Sequence, residues 1–211
     1  MAVLLNRIRS RLKTLVTCHS KIRSSLYKGL LSCLIALGLP LSNTIAQEEF
    51  LAVSSSFDHS AREWQMFYYD FSADIEQRAT MYLKWPFKND WTEWSIDIGD
   101  EIFNIKQRYR MAALQFELIS AERTVSIRQK WLGDNNEWLI SFDKTSLKWQ
   151  TDTPNNLELW YMEDGEEYLD MWTSYPGDSR DWIIEDRFDA LPKEVKLAAV
   201  FITIYLTTPK Y

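Results

Sequence analysis

The sequence predicts an all-β domain with one helix: a closed barrel of roughly twelve strands around a buried, apolar C-terminal helix. Three observations lead there. The pattern D-x-x-[DE]-W-x-I occurs three times at one spacing. Short alternating segments, rich in aromatic and β-branched residues, fill the intervals between its copies. The chain then closes on an almost unbroken apolar run that follows a helix-start signal. A β-trefoil also uses three four-strand units and is the alternative fold.

The pattern is Asp90, Glu93, Trp94 and Ile96; then Asp134, Glu137, Trp138 and Ile140; then Asp178, Asp181, Trp182 and Ile184, with a step of 44 residues. Flanking apolar positions keep that step: Met81, Val125 and Leu169, then Leu83, Ile127 and Met171. Phe116 and Leu118 correspond to Trp160 and Met162. The first copy of that strand, placed near Tyr69 and Phe71, is out of step by one residue. Each 44-residue unit reads as four strands. In the first they fall at 49–57, 63–71, 78–85 and 93–98. In the second they fall at 103–109, 114–120, 123–131 and 137–142, and in the third at 147–151, 157–162, 167–172 and 181–185. Turn chemistry separates them, as in Gly133-Asp134-Asn135-Asn136, Asp164-Gly165 and Pro176-Gly177-Asp178.

The last segment follows another rule. Asp189-Ala190-Leu191-Pro192 supplies a start signal, with Asp189 near the cap and Pro192 in the first turn. Val195 and the residues from Leu197 to Leu206 are then apolar apart from Thr203, which predicts a helix over 192–207. A helix apolar on every side must be surrounded, because it has no face to offer water. The competing reading is a final strand, drawn from Val200, Ile202, Thr203, Ile204 and Tyr205. Three units are too few for a propeller.

The overall charge of −6 averages two unlike parts. Residues 1–46 carry seven basic residues and no acid, and both cysteines, Cys18 and Cys33. Residues 47–211 hold 17 basic against 30 acidic residues, a net of −13, with no cysteine and all ten tryptophans. The leader reads as a signal peptide: a basic region to Lys28, an apolar run over 30–41, and small residues Thr44 and Ala46 before a cleavage point. That places the protein in the periplasm or outside the cell. The competing reading is a mitochondrial presequence, since residues 1–28 are acid-free and contain Arg and Ser. The apolar run is shorter than the ~20 residues of a spanning helix, so no stable transmembrane segment is expected after cleavage. Residues 47–211 then form a single domain. The acidic, aromatic-rich composition argues against a nucleic-acid binder and a disulfide scaffold.

The strand segments Phe103-Asn-Ile-Lys-Gln-Arg-Tyr109 and Val125-Ser-Ile-Arg-Gln-Lys-Trp131 are followed at the chain's end by Pro192-Lys-Glu-Val-Lys-Leu-Ala-Ala-Val-Phe-Ile202. With the strand count and order, they resemble the tubby C-terminal-domain-like superfamily, which includes LURP-one-related proteins and phospholipid scramblases. The resemblance covers about residues 48–207. It implies a barrel around a central helix and a lipid- or protein-binding role rather than catalysis. Tubby-type domains bind phosphoinositide headgroups in a basic pocket, which a body at −13 does not obviously offer.

The catalytic inventory is thin. The body has one histidine, His59, within Ser54-Ser-Ser-Phe-Asp-His-Ser60, and no nucleophile elbow, zinc-binding helix motif or phosphate loop. No cofactor is expected. Abundant carboxylates leave a carboxylate-dependent hydrolase as a remote alternative, and the trefoil reading would make the chain a carbohydrate-binding module. Candidate binding residues fall in two groups. Lys106, Arg108, Arg128 and Lys130, with Arg110, form a basic set on two neighbouring strands of the middle unit. Trp85, Trp91 and Trp131, with Tyr175, sit at turns leading into the repeated motif and are the candidate surface aromatics, whereas Trp94, Trp138 and Trp182 are expected to anchor the core. Asp90, Asp134 and Asp178 are weak calcium candidates; the competing reading is that they satisfy turn backbone donors.

Overall fold

The computed structural model describes residues 48–57, 60–108, 113–189 and 191–210. Its strands are β1 (Glu48–Phe57), β2 (Ser60–Asp70), β3 (Ile75–Trp85), β4 (Asp90–Ile98), β5 (Glu101–Gln107) and β6 (Gln115–Ile119). They continue with β7 (Thr124–Gln129), β8 (Glu137–Phe142), β9 (Thr145–Thr151), β10 (Leu159–Asp164), β11 (Glu167–Tyr175) and β12 (Asp178–Asp186). A single α-helix among the described residues, α1 (Lys193–Thr207), follows. Each strand pairs antiparallel with its neighbours in sequence, and β1 closes the ring on β12 through Ala52↔Ile183, Val53↔Trp182 and Ser54↔Asp181. The result is one up-and-down barrel of twelve strands rather than a trefoil. Closure leaves no unpaired strand edge on an aromatic-rich sheet.

Alternation decides what faces the lumen. On β3, Ala79, Met81 and Leu83 are buried, while Arg78, Tyr82 and Lys84 point outward; on β7, Val125 and Ile127 are buried and Arg128 is exposed. A charged outer wall and an apolar interior are the reverse of a transmembrane barrel. Eight strands leave room only for side chains, so twelve leave a lumen wide enough for a helix. Helix α1 fills it: every residue from Glu194 to Tyr205 is buried. Phe201 packs edge-on against Trp94 and Phe116, at 5.9 and 5.1 Å between ring centres, and Phe116 also meets Tyr205 at 4.6 Å.

The helix starts at Lys193 with Pro192 as its N-cap residue, and no side chain caps it. Asp189 lies outside the first turn, which corrects its expected capping role. Glu194 instead accepts a hydrogen bond from the Ser120 hydroxyl at 2.9 Å and lies 3.4 Å from Arg123. Lys196 is buried against Asp186, with Nζ to Oδ2 at 2.8 Å. Midway along the lumen, the Trp149 indole donates to the Thr203 hydroxyl at 2.9 Å.

The repeated tryptophans have one geometry. Trp94, Trp138 and Trp182 are fully or almost fully buried, and each indole N–H donates to the carbonyl three residues earlier, on Trp91, Asn135 and Ser179, at 2.9–3.2 Å. A buried indole donor needs such a partner. The motif's first residue makes the turn: Oδ1 of Asp90, Asp134 and Asp178 accepts the backbone N–H two residues on. Trp160 and Trp64 bond their third preceding carbonyls, on Leu157 and Ala61, in the same way. Positions 94, 116, 138, 160 and 182 are therefore 22 residues apart, one per hairpin, with Phe at 116. Trp64 is the matching residue of β2, not Tyr69 or Phe71. The first copy is offset by eight residues relative to the 44-residue step, rather than one, because β2 and β3 are each 11 residues long.

Candidate functional site

The meander sends the β1–β2, β3–β4, β7–β8 and β11–β12 turns to one end of the barrel, the end at which α1 finishes. There the chain exposes apolar side chains on all four turns. Phe57 ends β1, Trp85 precedes and Phe87 lies within the 3-10 turn Pro86–Lys88, Trp131 and Leu132 lead the β7–β8 turn, and Tyr175 ends β11. Phe87 is 101% exposed, and Trp131, Leu132 and Tyr175 are 60–68% exposed. The turns at the opposite end are short and mostly polar, as at Gly99-Asp100 and Asp143-Lys144, although Phe71, Ile75 and Ile102 are exposed there.

Two of these aromatics are held in place rather than left loose. The Trp85 indole donates to Glu93 Oε2 at 3.2 Å, and the Trp131 indole donates to Glu137 Oε2 at 3.1 Å. Each carboxylate turns its other oxygen toward a lysine of the next strand: Lys106 at 3.6 Å from Glu93 and Lys148 at 4.0 Å from Glu137. A second lysine lies over each ring, Lys88 at 4.9 Å from Trp85 and Lys130 at 5.3 Å from Trp131. The fourth motif residue, Glu in the first two copies, thus orients an exposed indole in the preceding turn. The Lys130 hydrogen bond, opposed by some desolvation and aided by the Trp131 indole, holds the Glu137 carboxyl below its ordinary range.

The structure distributes the other candidates differently. Trp91 is half-buried, packs against Trp94 with ring centres 5.8 Å apart, and donates to Asn89 at 2.9 Å, so it is not a surface aromatic. Trp85, Trp131 and Tyr175 sit on three separate turns at this end, β3–β4, β7–β8 and β11–β12. The basic set lies on β5 and β7 and the residues just after them; these strands are separated by β6, not adjacent. Lys106 faces Glu93, Arg108 pairs with Glu117 at 2.6 Å, and Lys130 pairs with Glu137 at 2.6 Å, while Arg128 is exposed on the outer wall. Three of its cations are thus matched by carboxylates across the sheet. Arg110, Asp58 and His59 lie outside the described residues.

Asp90, Asp134 and Asp178 stand on three separate turns, four strands apart, so they do not converge. The Thr92 hydroxyl, then its backbone N–H, lowers the Asp90 carboxyl, and the Arg180 guanidinium brings Asp178 down to about 2. Among the described residues, no group of three or more His, Cys, Asp or Glu side chains is placed to hold a metal ion. No helix among them is long and apolar enough to cross a membrane. An open groove of about 430 Å³ runs along Tyr82, Lys84, Trp85, Pro86, Phe87 and Lys88, continuous with the rim.

Sequence reasoning separated Trp85 and Trp131 from the core tryptophans but missed Phe57, Phe87 and Leu132. The available signal was position: each lies in or beside a turn that precedes or follows an inward-facing strand end. No family model, curated protein or solved structure matches this chain.

Proposed function

We propose that this chain is an exported, non-enzymatic binding or accessory protein whose working surface is the aromatic-rimmed end of the barrel. The observation that carries the reading is the gathering of six exposed apolar side chains on four turns at one end of a barrel with a polar wall. Exposed apolar groups scattered singly are ordinary, but a concentration of this kind marks a contact surface. The lumen supports the same reading, because α1 fills it and leaves the ends and wall for recognition. Export is supported by the basic leader, its apolar run and the small residues ending at Ala46. The tubby-like resemblance agrees with a helix-filled barrel that binds rather than catalyses.

The test is a comparison on lipid and glycan arrays of the parent, a rim variant (Phe87→Ser/Trp131→Ser/Tyr175→Ser) and a wall variant (Arg78→Ser/Arg128→Ser). Any retained ligand should be lost by the rim variant and kept by the wall variant. Retention by the rim variant, with loss from the wall variant, would sink the reading. N-terminal sequencing of the exported protein should begin at Gln47.

A further inference from the structure

We infer that the rim inserts into the interfacial layer of a lipid bilayer, including one without net charge. This rests on the rim being the working surface, and it names the partner. Tyr175, Phe57, and Trp85 with Phe87 occupy three consecutive turns at this end of the ring, β11–β12, β1–β2 and β3–β4, while Trp131 and Leu132 occupy the β7–β8 turn across the barrel from them. With Trp131 and Leu132 across the barrel from the rest, the six do not form one sugar-stacking platform or one side-chain pocket. An extended apolar phase that meets the barrel end-on covers them all at once.

The residue types fit that phase. Trp and Tyr favour the headgroup boundary because their rings are apolar at one side and polar at the other. Each exposed indole also carries a lysine within 5.3 Å of its ring, Lys88 over Trp85 and Lys130 over Trp131. With the ring at the acyl boundary, such an ammonium reaches the level of the lipid phosphates. The glutamates fix ring orientation before contact, so little side-chain freedom is lost on insertion. Lys130 is already matched by Glu137, and the body carries net negative charge. Apolar insertion therefore supplies the affinity, and anionic headgroups are not required.

The test uses the full chain with vesicles of phosphatidylcholine whose acyl chains are brominated, read by quenching of tryptophan emission. All ten tryptophans lie after residue 46, so the leader contributes no signal. Part of the emission should be quenched, and the quenching should persist at about 0.5 M salt, where charge attraction is screened. Trp85→Phe/Trp131→Phe keeps the rim apolar; it should still float with vesicles but lose at least about half of the quenching, since six other tryptophans are fully buried. Phe87→Ser/Leu132→Ser should lower flotation about tenfold. Unchanged quenching in the Phe variant would overturn the proposal. So would binding that needs anionic lipid and disappears in salt, which would assign headgroup recognition instead. Absence of quenching together with rim-dependent glycan binding would remove the lipid assignment and leave the rim as working surface. Absence of both would remove the reading it rests on.

Discussion

The Lys196 ammonium on α1 lies 2.8 Å from the Asp186 carboxylate at the end of β12, with the two side chains only 3% and 1% exposed. Asp186 also accepts the backbone N–H groups of Phe50 and Phe188, at 3.3 and 3.2 Å. One carboxylate thus ties together the first strand, the last strand and the helix. Removing a single partner from such a pair leaves a buried charge uncompensated. Lys196→Met should therefore destabilise the fold by about 3–5 kcal/mol in denaturant unfolding. Lys196→Met/Asp186→Asn should recover part of that loss, because it removes the uncompensated charge; the recovery is incomplete because the Phe50 and Phe188 N–H groups use separate carboxylate oxygens and an amide keeps only one acceptor. A double variant no more stable than Lys196→Met would show that the ion pair is not the governing interaction.

The tryptophans divide into frame and rim, and the division is measurable with two conservative substitutions seven residues apart. Trp138→Phe removes ring volume from the core and orphans the Asn135 carbonyl, and should cost roughly 1–3 kcal/mol. Trp131→Phe changes a ring that is 60% exposed and should stay within about 0.5 kcal/mol of the parent. Equal costs would place both residues in the frame.

Thr203 faces Trp149 across the lumen and also donates to the Ala199 carbonyl at 3.1 Å. Thr203→Val keeps the shape and leaves the Trp149 N–H without a partner, which should cost about 1–3 kcal/mol. Trp149→Phe/Thr203→Val removes both sides of the bond, and its cost should be less than the sum of the single costs. Strict additivity in the cycle would mean that the bond contributes nothing.

Glu48 and Glu49 give the fold a pH dependence. Burial pushes both carboxyls above the ordinary value of 4.5, and Lys193 and Arg187, respectively, offset it only in part. A carboxyl raised in the folded state favours folding most below its unfolded value, and that contribution is lost as pH rises through the folded value. Glu48→Gln/Glu49→Gln removes this loss, so the variant's Tm relative to the parent should increase from pH 4 toward pH 7. A difference that shrinks over that range would reverse the assignment. Asp178 acts oppositely: lowered to about 2 by Arg180, it contributes above 3.8 and loses that contribution as pH falls through about 2.

Much of the architecture is legible in the sequence because the barrel uses one side-chain rule throughout. β8 runs from Glu137 to Phe142 in the sequence reading and in the structure, and the helix begins one residue later than expected, at Lys193. The 22-residue hairpin spacing is obscured because Phe116 lacks an indole and Asn156 stands where the motif has Asp. Asn156 nevertheless makes the same turn bond, to the N–H of Glu158 at 3.2 Å. The ion pair of Lys196 is hidden because its partner lies across a chain reversal, and nothing in an apolar run says which residue meets a carboxylate. The rim is only half legible. Trp85 and Trp131 fall outside the motif, whereas Phe57, Phe87 and Leu132 resemble core residues until the turns are placed at one end.

The claim that one barrel end is the contact surface is tested most directly by hydroxyl-radical footprinting of the full chain with and without phosphatidylcholine vesicles. The structure predicts protection at Phe87, Trp131, Leu132 and Tyr175, and unchanged modification at Tyr161 on the outer wall. Protection of the wall with an unprotected rim would contradict it.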